Sequence, residues 1–147
     1  MVTVSRSLSA FQPPAKRAIM KKVLIIEDHA DMRELLSWQV ELMGFVPLTA
    51  KQAREGIEKA VAERPDLIIL DILMPGMDGW QAARELRETA GMKDVPILAA
   101  TALFREADLK ACTDAGCNGY IVKPFTFQEL HAKVQELVPS LSPTYPR

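Results

Sequence analysis

The chain has 147 residues, 48% of them hydrophobic and 25% charged, with 18 basic against 19 acidic side chains and a net charge of −1. That describes one globular domain able to bury roughly two-thirds of its unfolded surface, and it excludes a disordered chain. There is no basic excess for a nucleic-acid backbone, no apolar run near the roughly 18 residues of a membrane span, and, with two cysteines, no disulfide framework. The expectation is a cytoplasmic protein that touches neither nucleic acid nor membrane directly.

Residues 1–20 carry Arg6, Lys16 and Arg17, no acidic residue, and the breaker pair Pro13-Pro14. They read as a flexible leader, and Met20 offers an alternative start. The rest of the chain is left at net −4. Short unbroken apolar runs follow at Val23–Ile26, Leu67–Leu70, Ile97–Ala100 and Tyr120–Val122, with a weaker one at Phe45–Leu48 interrupted by Pro47. Runs of this kind suit strands buried on both faces of a parallel sheet. The proline puts the second strand at an edge.

Helical segments lie between the runs. His29 to Met43 sets Met32, Leu35, Leu36, Val40 and Met43 on one face, and Gly44 follows as a C-cap. Thr49 with Gln52 reads as a capping box opening a second helix, which Pro65 stops. A third helix starts near Asp78 and ends before Gly91, and a fourth ends at Gly116. Thr126 with Glu129 is another capping box, before Phe127, Leu130, Val134 and Leu137 at helical spacing. Five strand–helix units in a row imply a doubly wound α/β sandwich with right-handed crossovers over residues 21–138. Residues 139–147 form an irregular tail, with three prolines and no periodicity.

In such a sheet every strand runs the same way, and residues just past the strands gather along one edge, where ligands bind. Here those residues are Glu27, Asp28, Asp71, Thr101 and Lys123. Three crowded carboxylates repel one another, and a divalent cation resolves the conflict. Hard oxygen ligands with an incomplete shell suit Mg²⁺, with Mn²⁺ as a substitute. A cation, an ammonium and a hydroxyl around one carboxylate make a receptor for a phosphoryl group being transferred onto it. Any one of these residues alone reads better as a polar group facing water; all five on one edge do not.

The segment Asp71-Ile72-Leu73-Met74-Pro75-Gly76-Met77-Asp78-Gly79 resembles the phosphoacceptor loop of the response-regulator receiver domain. Glu27-Asp28 is similar to that family's acidic pair, Ala100-Thr101-Ala102 to its switch threonine, and Lys123-Pro124-Phe125 to its Lys-Pro turn. The resemblance spans roughly residues 21–138. It implies a flavodoxin-like (βα)5 sandwich with strand order 2-1-3-4-5, working in two-component signalling as a phosphorylation switch. On that likeness Asp71 is the phosphoacceptor, served by a phosphohistidine of a histidine kinase or phosphotransfer protein. Asp28, Asp71 and the Leu73 backbone carbonyl would ligate Mg²⁺, with Glu27 acting through a water. Lys123 would hold a phosphoryl oxygen, with a cis bond to Pro124. Thr101 would swing toward the phosphoryl group, Tyr120 would turn inward, and small Ala102 would leave room for phosphoryl entry.

The likeness further implies a protein that catalyses only its own phosphorylation and dephosphorylation. Its output would come from the face made by Arg105–Gly116, Tyr120–Val122 and Thr126–Val138, toward an unknown downstream protein, as a monomer or a weak phosphorylation-linked dimer. No effector domain is expected after Val138. The alternatives are an intermediate receiver relaying phosphate in a multistep phosphorelay, and a phosphorylation-independent interaction module. Leu73 and Leu103, two residues beyond Asp71 and Thr101, are apolar and unable to orient water, so slow self-dephosphorylation is expected. A haloacid-dehalogenase-like phosphatase needs a second Asp where Leu73 stands, and a dinucleotide-binding domain needs glycines where Glu27–Met32 stand. His29 is read as starting the first helix facing water, His131 as a surface residue, and Trp80 as core packing. Cys112 and Cys117 lack the partners for zinc. The charges of Lys51–Glu63 and Arg84–Glu88 read as solvated helix faces.

Overall fold

The computed structural model describes residues 20–89, 91–103 and 105–138. The expected leader and tail fall on residues 1–19 and 139–147, outside the described residues. Five units alternate in order: β1 (Lys22–Ile26), α1 (Ala30–Leu42), β2 (Val46–Ala50), α2 (Ala53–Glu63), β3 (Leu67–Asp71), α3 (Gly79–Glu88), β4 (Ile97–Thr101), α4 (Glu106–Asp114), β5 (Gly119–Val122) and α5 (Phe127–Leu137). The strands pair in parallel in the order β2-β1-β3-β4-β5, as the family resemblance implied, and Pro47 lies in an edge strand.

Alternate residues of each central strand feed opposite cores. Leu24, Ile26, Ile68, Leu70, Ile97 and Ala99 pack with α2, α3 and α4 on one face of the sheet. Val23, Ile25, Leu67, Ile69, Leu98 and Ala100 pack with α1 and α5 on the other. Helices on both faces explain the unbroken apolar runs.

The helix ends are set by local chemistry. Gly44 takes φ 95°, closing α1 as expected. Asp78 caps α3 by accepting from the Gln81 N–H at 2.7 Å, and Thr126 and Glu129 form the reciprocal capping box of α5. Gly79 allows a close approach: a Cβ there would stand 2.4 Å from the Ile72 Cα. Its N–H donates to the Ile72 carbonyl at 2.9 Å, seating the start of α3 against the residue after Asp71.

Three expectations are corrected. The Thr49–Gln52 capping box does not form, because Thr49 belongs to β2, where ladder pairing claims its backbone. The turn before α2 is tied instead by Glu55 Oε1, which accepts from the Lys51 N–H at 2.7 Å. Leu35 does not join the buried face of α1; Leu36 and Val40 do. Arg87 is not on a solvated face. Its guanidinium donates to the carbonyls of Gly116, Met92 and Val95 and to the Asn118 side chain, tying the end of α3 to the entrances of β4 and β5. Burial lowers its pKa from the ordinary arginine value.

Candidate functional site

The site is assembled by strand ends. β1 delivers Glu27 and Asp28, β3 ends in Asp71, β4 ends in Thr101, and Lys123 follows β5. All five expected residues converge on one sheet edge. Glu27, Asp71 and Thr101 are buried, whereas Asp28 and Lys123 are half-buried. The Lys123 ammonium lies 3.0 Å from Glu27 Oε1 and 3.5 Å from Asp71 Oδ1, so one cation bridges two buried carboxylates. The Lys123–Pro124 peptide is cis, as expected.

Burial raises the Asp71 carboxyl to about 7; Lys123 opposes that shift and the Glu27 charge adds to it. The Leu73 N–H donates to Asp71 Oδ1 at 3.1 Å and fixes the carboxylate's orientation. The Leu73 side chain itself is exposed. Thr101 Oγ1 accepts from the Leu103 N–H at 2.9 Å. Ala102 is exposed beside it. Tyr120 is half-buried, with the Lys133 ammonium 5.6 Å from its ring centroid.

Two contacts went unread in the sequence. Arg33, on the first turn of α1, donates to the backbone carbonyls of Glu27 at 2.9 Å and Asp28 at 3.2 Å, so it anchors the acidic pair from behind. A single basic side chain among the acids of that turn was the available signal. His29 caps α1 with its ring mostly exposed, in keeping with the expectation. Its Nδ1 also stands 3.3 Å from Glu27 Oε2 and 3.4 Å from Asp28 Oδ1.

The donor set fits a hard divalent cation. Ligand atoms of Glu27, Asp28, His29 and Asp71 all lie within 4.8 Å of one another. Asp28 Oδ1 is buried and makes no hydrogen bond, the nearby His29 ring nitrogen standing at 3.4 Å, so it is an acceptor oxygen able to take a cation. Carboxylate oxygens dominate the set, as Mg²⁺ prefers.

Away from this edge, Cys112 and Cys117 are both buried and free. Trp80 packs against the core beside them, as expected. His131 is half-buried and stacks on Phe127 with ring centroids 5.9 Å apart. No helix among the described residues is long and apolar enough to cross a membrane.

A family model described as the response regulator receiver domain matches residues 23–135. Among curated proteins, the chain is 36% identical over 118 residues to the probable transcriptional regulator ycf27 of Guillardia theta, covering 80% of this chain and 45% of that one. It is 35% identical over 118 residues to the alkaline phosphatase synthesis transcriptional regulatory protein PhoP of Bacillus subtilis, covering 80% and 48%. The chain thus spans about half the length of these relatives, and they lend no support to output from a receiver surface alone. Among solved structures, chemotaxis protein CheY4 of Vibrio cholerae matches with TM-score 0.78 and 31% identity, over 80% of this chain and 98% of that one. The receiver domain of sensor histidine kinase PA1611 from Pseudomonas aeruginosa, solved with a magnesium ion coordinated in its active site cleft, matches with TM-score 0.76 and 28% identity, over 82% and 98%. The matched segment runs from β1 into α5 and contains every residue of the acidic edge, and on these grounds the chain belongs to the response regulator receiver domain family.

Proposed function

We propose that this domain is a phosphorylation switch in which Asp71 accepts a phosphoryl group from a phosphohistidine of a histidine kinase or phosphotransfer protein. An Asp71 carboxylate oxygen forms the new bond to phosphorus as the P–N bond breaks, and the departing imidazole keeps that electron pair and takes up a proton. The observation that carries the reading is the Lys123 ammonium shared between Glu27 and Asp71, which sets a positive charge where a phosphoryl oxygen would arrive.

Asp28, Asp71 and the Leu73 carbonyl would hold Mg²⁺, with Glu27 acting through a water. When bound, the ion supplies positive charge against the oxygens of the transferring group. The chain's own residues do the rest. The Leu73 N–H orients the acceptor, Arg33 holds the acidic pair in place, and exposed Ala102 leaves the approach open.

Thr101 would exchange its Leu103 N–H for a phosphoryl oxygen, and Tyr120 would then leave Lys133 and turn inward. The two movements bias an equilibrium between two states and alter the α4–β5–α5 face toward a downstream protein. The reaction is the domain's own phosphorylation and dephosphorylation, and the setting is the cytoplasm. A second reading, an intermediate receiver in a phosphorelay, draws support from the structural likeness to the receiver domain of a sensor histidine kinase.

The test is intact mass after incubation with Mg²⁺ and a small acyl-phosphate donor. Native chain should gain one phosphoryl group, Asp71→Asn none, and Asp28→Asn should lose the Mg²⁺ dependence. No uptake from either the small donor or a phosphohistidine protein would overturn the reading.

A further inference from the structure

Helix α1 carries an apolar stripe that the core does not use. Leu35, Trp38 and Leu42 are 42%, 60% and 60% exposed and, at i, i+3 and i+7, lie on one side of the helix. Asp31, Glu34 and Glu41 flank the stripe, and with Leu35, Ser37 and Trp38 they line a shallow cavity of about 460 Å³. Arg33, the single basic residue of the helix, is turned away onto the Glu27 and Asp28 carbonyls. Among the described residues no ion pair reaches Asp31, Glu34 or Glu41. The face is apolar and aromatic with an acidic rim, and its complement is apolar and basic.

The chain carries such a complement next door. Phe11-Gln12-Pro13-Pro14-Ala15-Lys16-Arg17 lies just before Met20, and residues 1–19 contain no acidic side chain. Met20 and Glu41 line one cavity at the C-terminal end of α1, so the chain enters the domain at the foot of the stripe. An extended chain advances at most ~3.5 Å per residue, which puts Arg17 and Lys16 within about 10–14 Å of Met20 and Pro14 and Pro13 within about 20–25 Å. Helix α1, with 13 residues, is about 20 Å long. The stripe from Leu35 to Leu42 takes up about 10 Å of that length, so the segment reaches all of it. A second copy of the domain is a poorer occupant, because a two-fold contact would set the same acidic rim against itself.

We propose that residues 11–17 dock along the outer face of α1, with Arg17 opposite Glu41, Lys16 reaching toward Glu34, and Pro13-Pro14 against Trp38 and Leu35. A Pro-Pro pair is already stiff in the extended polyproline conformation, so laying it on an aromatic ring costs little ordering entropy. The basic pair then adds register and direction.

The experiment uses the full chain with a nitroxide on Gln12→Cys; the two native thiols are buried and leave the new one to react. Two-dimensional NMR reads the indole N–H signals of Trp38 and Trp80, which lie on helices packed against opposite faces of the sheet. Trp38 should be broadened several-fold more than in a Lys16→Glu, Arg17→Glu chain, with Trp80 unaffected. Adding Glu34→Lys and Glu41→Lys to that chain should restore the broadening. Equal broadening with and without the charge reversal, failure of the rescue, or broadening that grows with protein concentration overturns the proposal.

Discussion

Lys123 and Glu27, 96 positions apart in the chain, close an ion pair of 3.0 Å at the sheet edge, with the Glu27 carboxylate buried. The lysine is nearer to Glu27 than to Asp71, and in this state its first duty is to neutralise a buried acid. Lys123→Ala would leave Glu27 and Asp71 facing each other without a counter-charge. Breaking one side of a buried pair costs about 3 kcal/mol. Urea unfolding at neutral pH in metal-free buffer should show that loss, and Mg²⁺ should recover part of it by standing in for the missing cation.

Leu73 is exposed two residues beyond Asp71, and Leu103 stands two beyond Thr101 with its N–H committed to the Thr101 hydroxyl. Neither side chain can accept a hydrogen bond from an attacking water. Leu73→Asn or Leu103→Glu should therefore shorten the phosphoryl lifetime by about ten-fold or more, the scale at which positioned polar groups begin to act. Decay of the phosphorylated mass with time measures it, and an unchanged lifetime in both variants would remove the two leucines from the account.

Arg87 satisfies three carbonyls and the Asn118 side chain from the end of α3, and Asn118 Oδ1 also accepts from the Ile97 N–H at 2.8 Å. Arg87→Ala strands these acceptors at the entrances of β4 and β5. The expected cost is about 3 kcal/mol, from lost charge-assisted bonds and unpaired carbonyls. Arg87→Lys should rescue little of it, since one ammonium cannot reproduce the guanidinium fork. Chemical denaturation of the three chains decides.

Burial, with Cys112 alongside, pushes the Cys117 thiol up to about 12 from 9.0. Between those values the unfolded chain releases the proton and the folded chain keeps it, so rising pH favours unfolding. The contribution is whole below pH 9 and is lost progressively as pH climbs toward 12. Cys117→Ala should flatten that part of the alkaline stability profile relative to the native chain. At pH 8 neither native thiol should react appreciably with an alkylating reagent until the chain is unfolded, which thiol counting by mass can follow.

Much of the fold is legible in the sequence because its signals are local. Unbroken apolar runs such as Leu67–Leu70 mark strands covered on both faces, Gly44 marks a left-handed helix end, and Thr126 with Glu129 marks a helix start whose bonds span three residues. The five site residues were legible for a topological reason: parallel strands bring their ends to one edge however far apart they lie in the chain. Thr49 shows where local chemistry yields, since a competent capping pair lost its backbone to the β2 ladder.

The composition and charge that bounded the chain at the outset pointed to one domain with an acidic body, and the order of its apolar runs determined how that body is wound. Helical periodicity also showed which side of α1 is apolar. It could not say how much of that side the sheet and α5 would cover, and so Leu36 is buried while neighbouring Leu35 is not. Tertiary structure alone turned Arg87 inward onto carbonyls 5, 8 and 29 residues away and closed the Lys123–Glu27 pair across the sheet edge. A long side chain has no preferred partner in the sequence; it takes the acceptors that packing leaves unsatisfied within its reach.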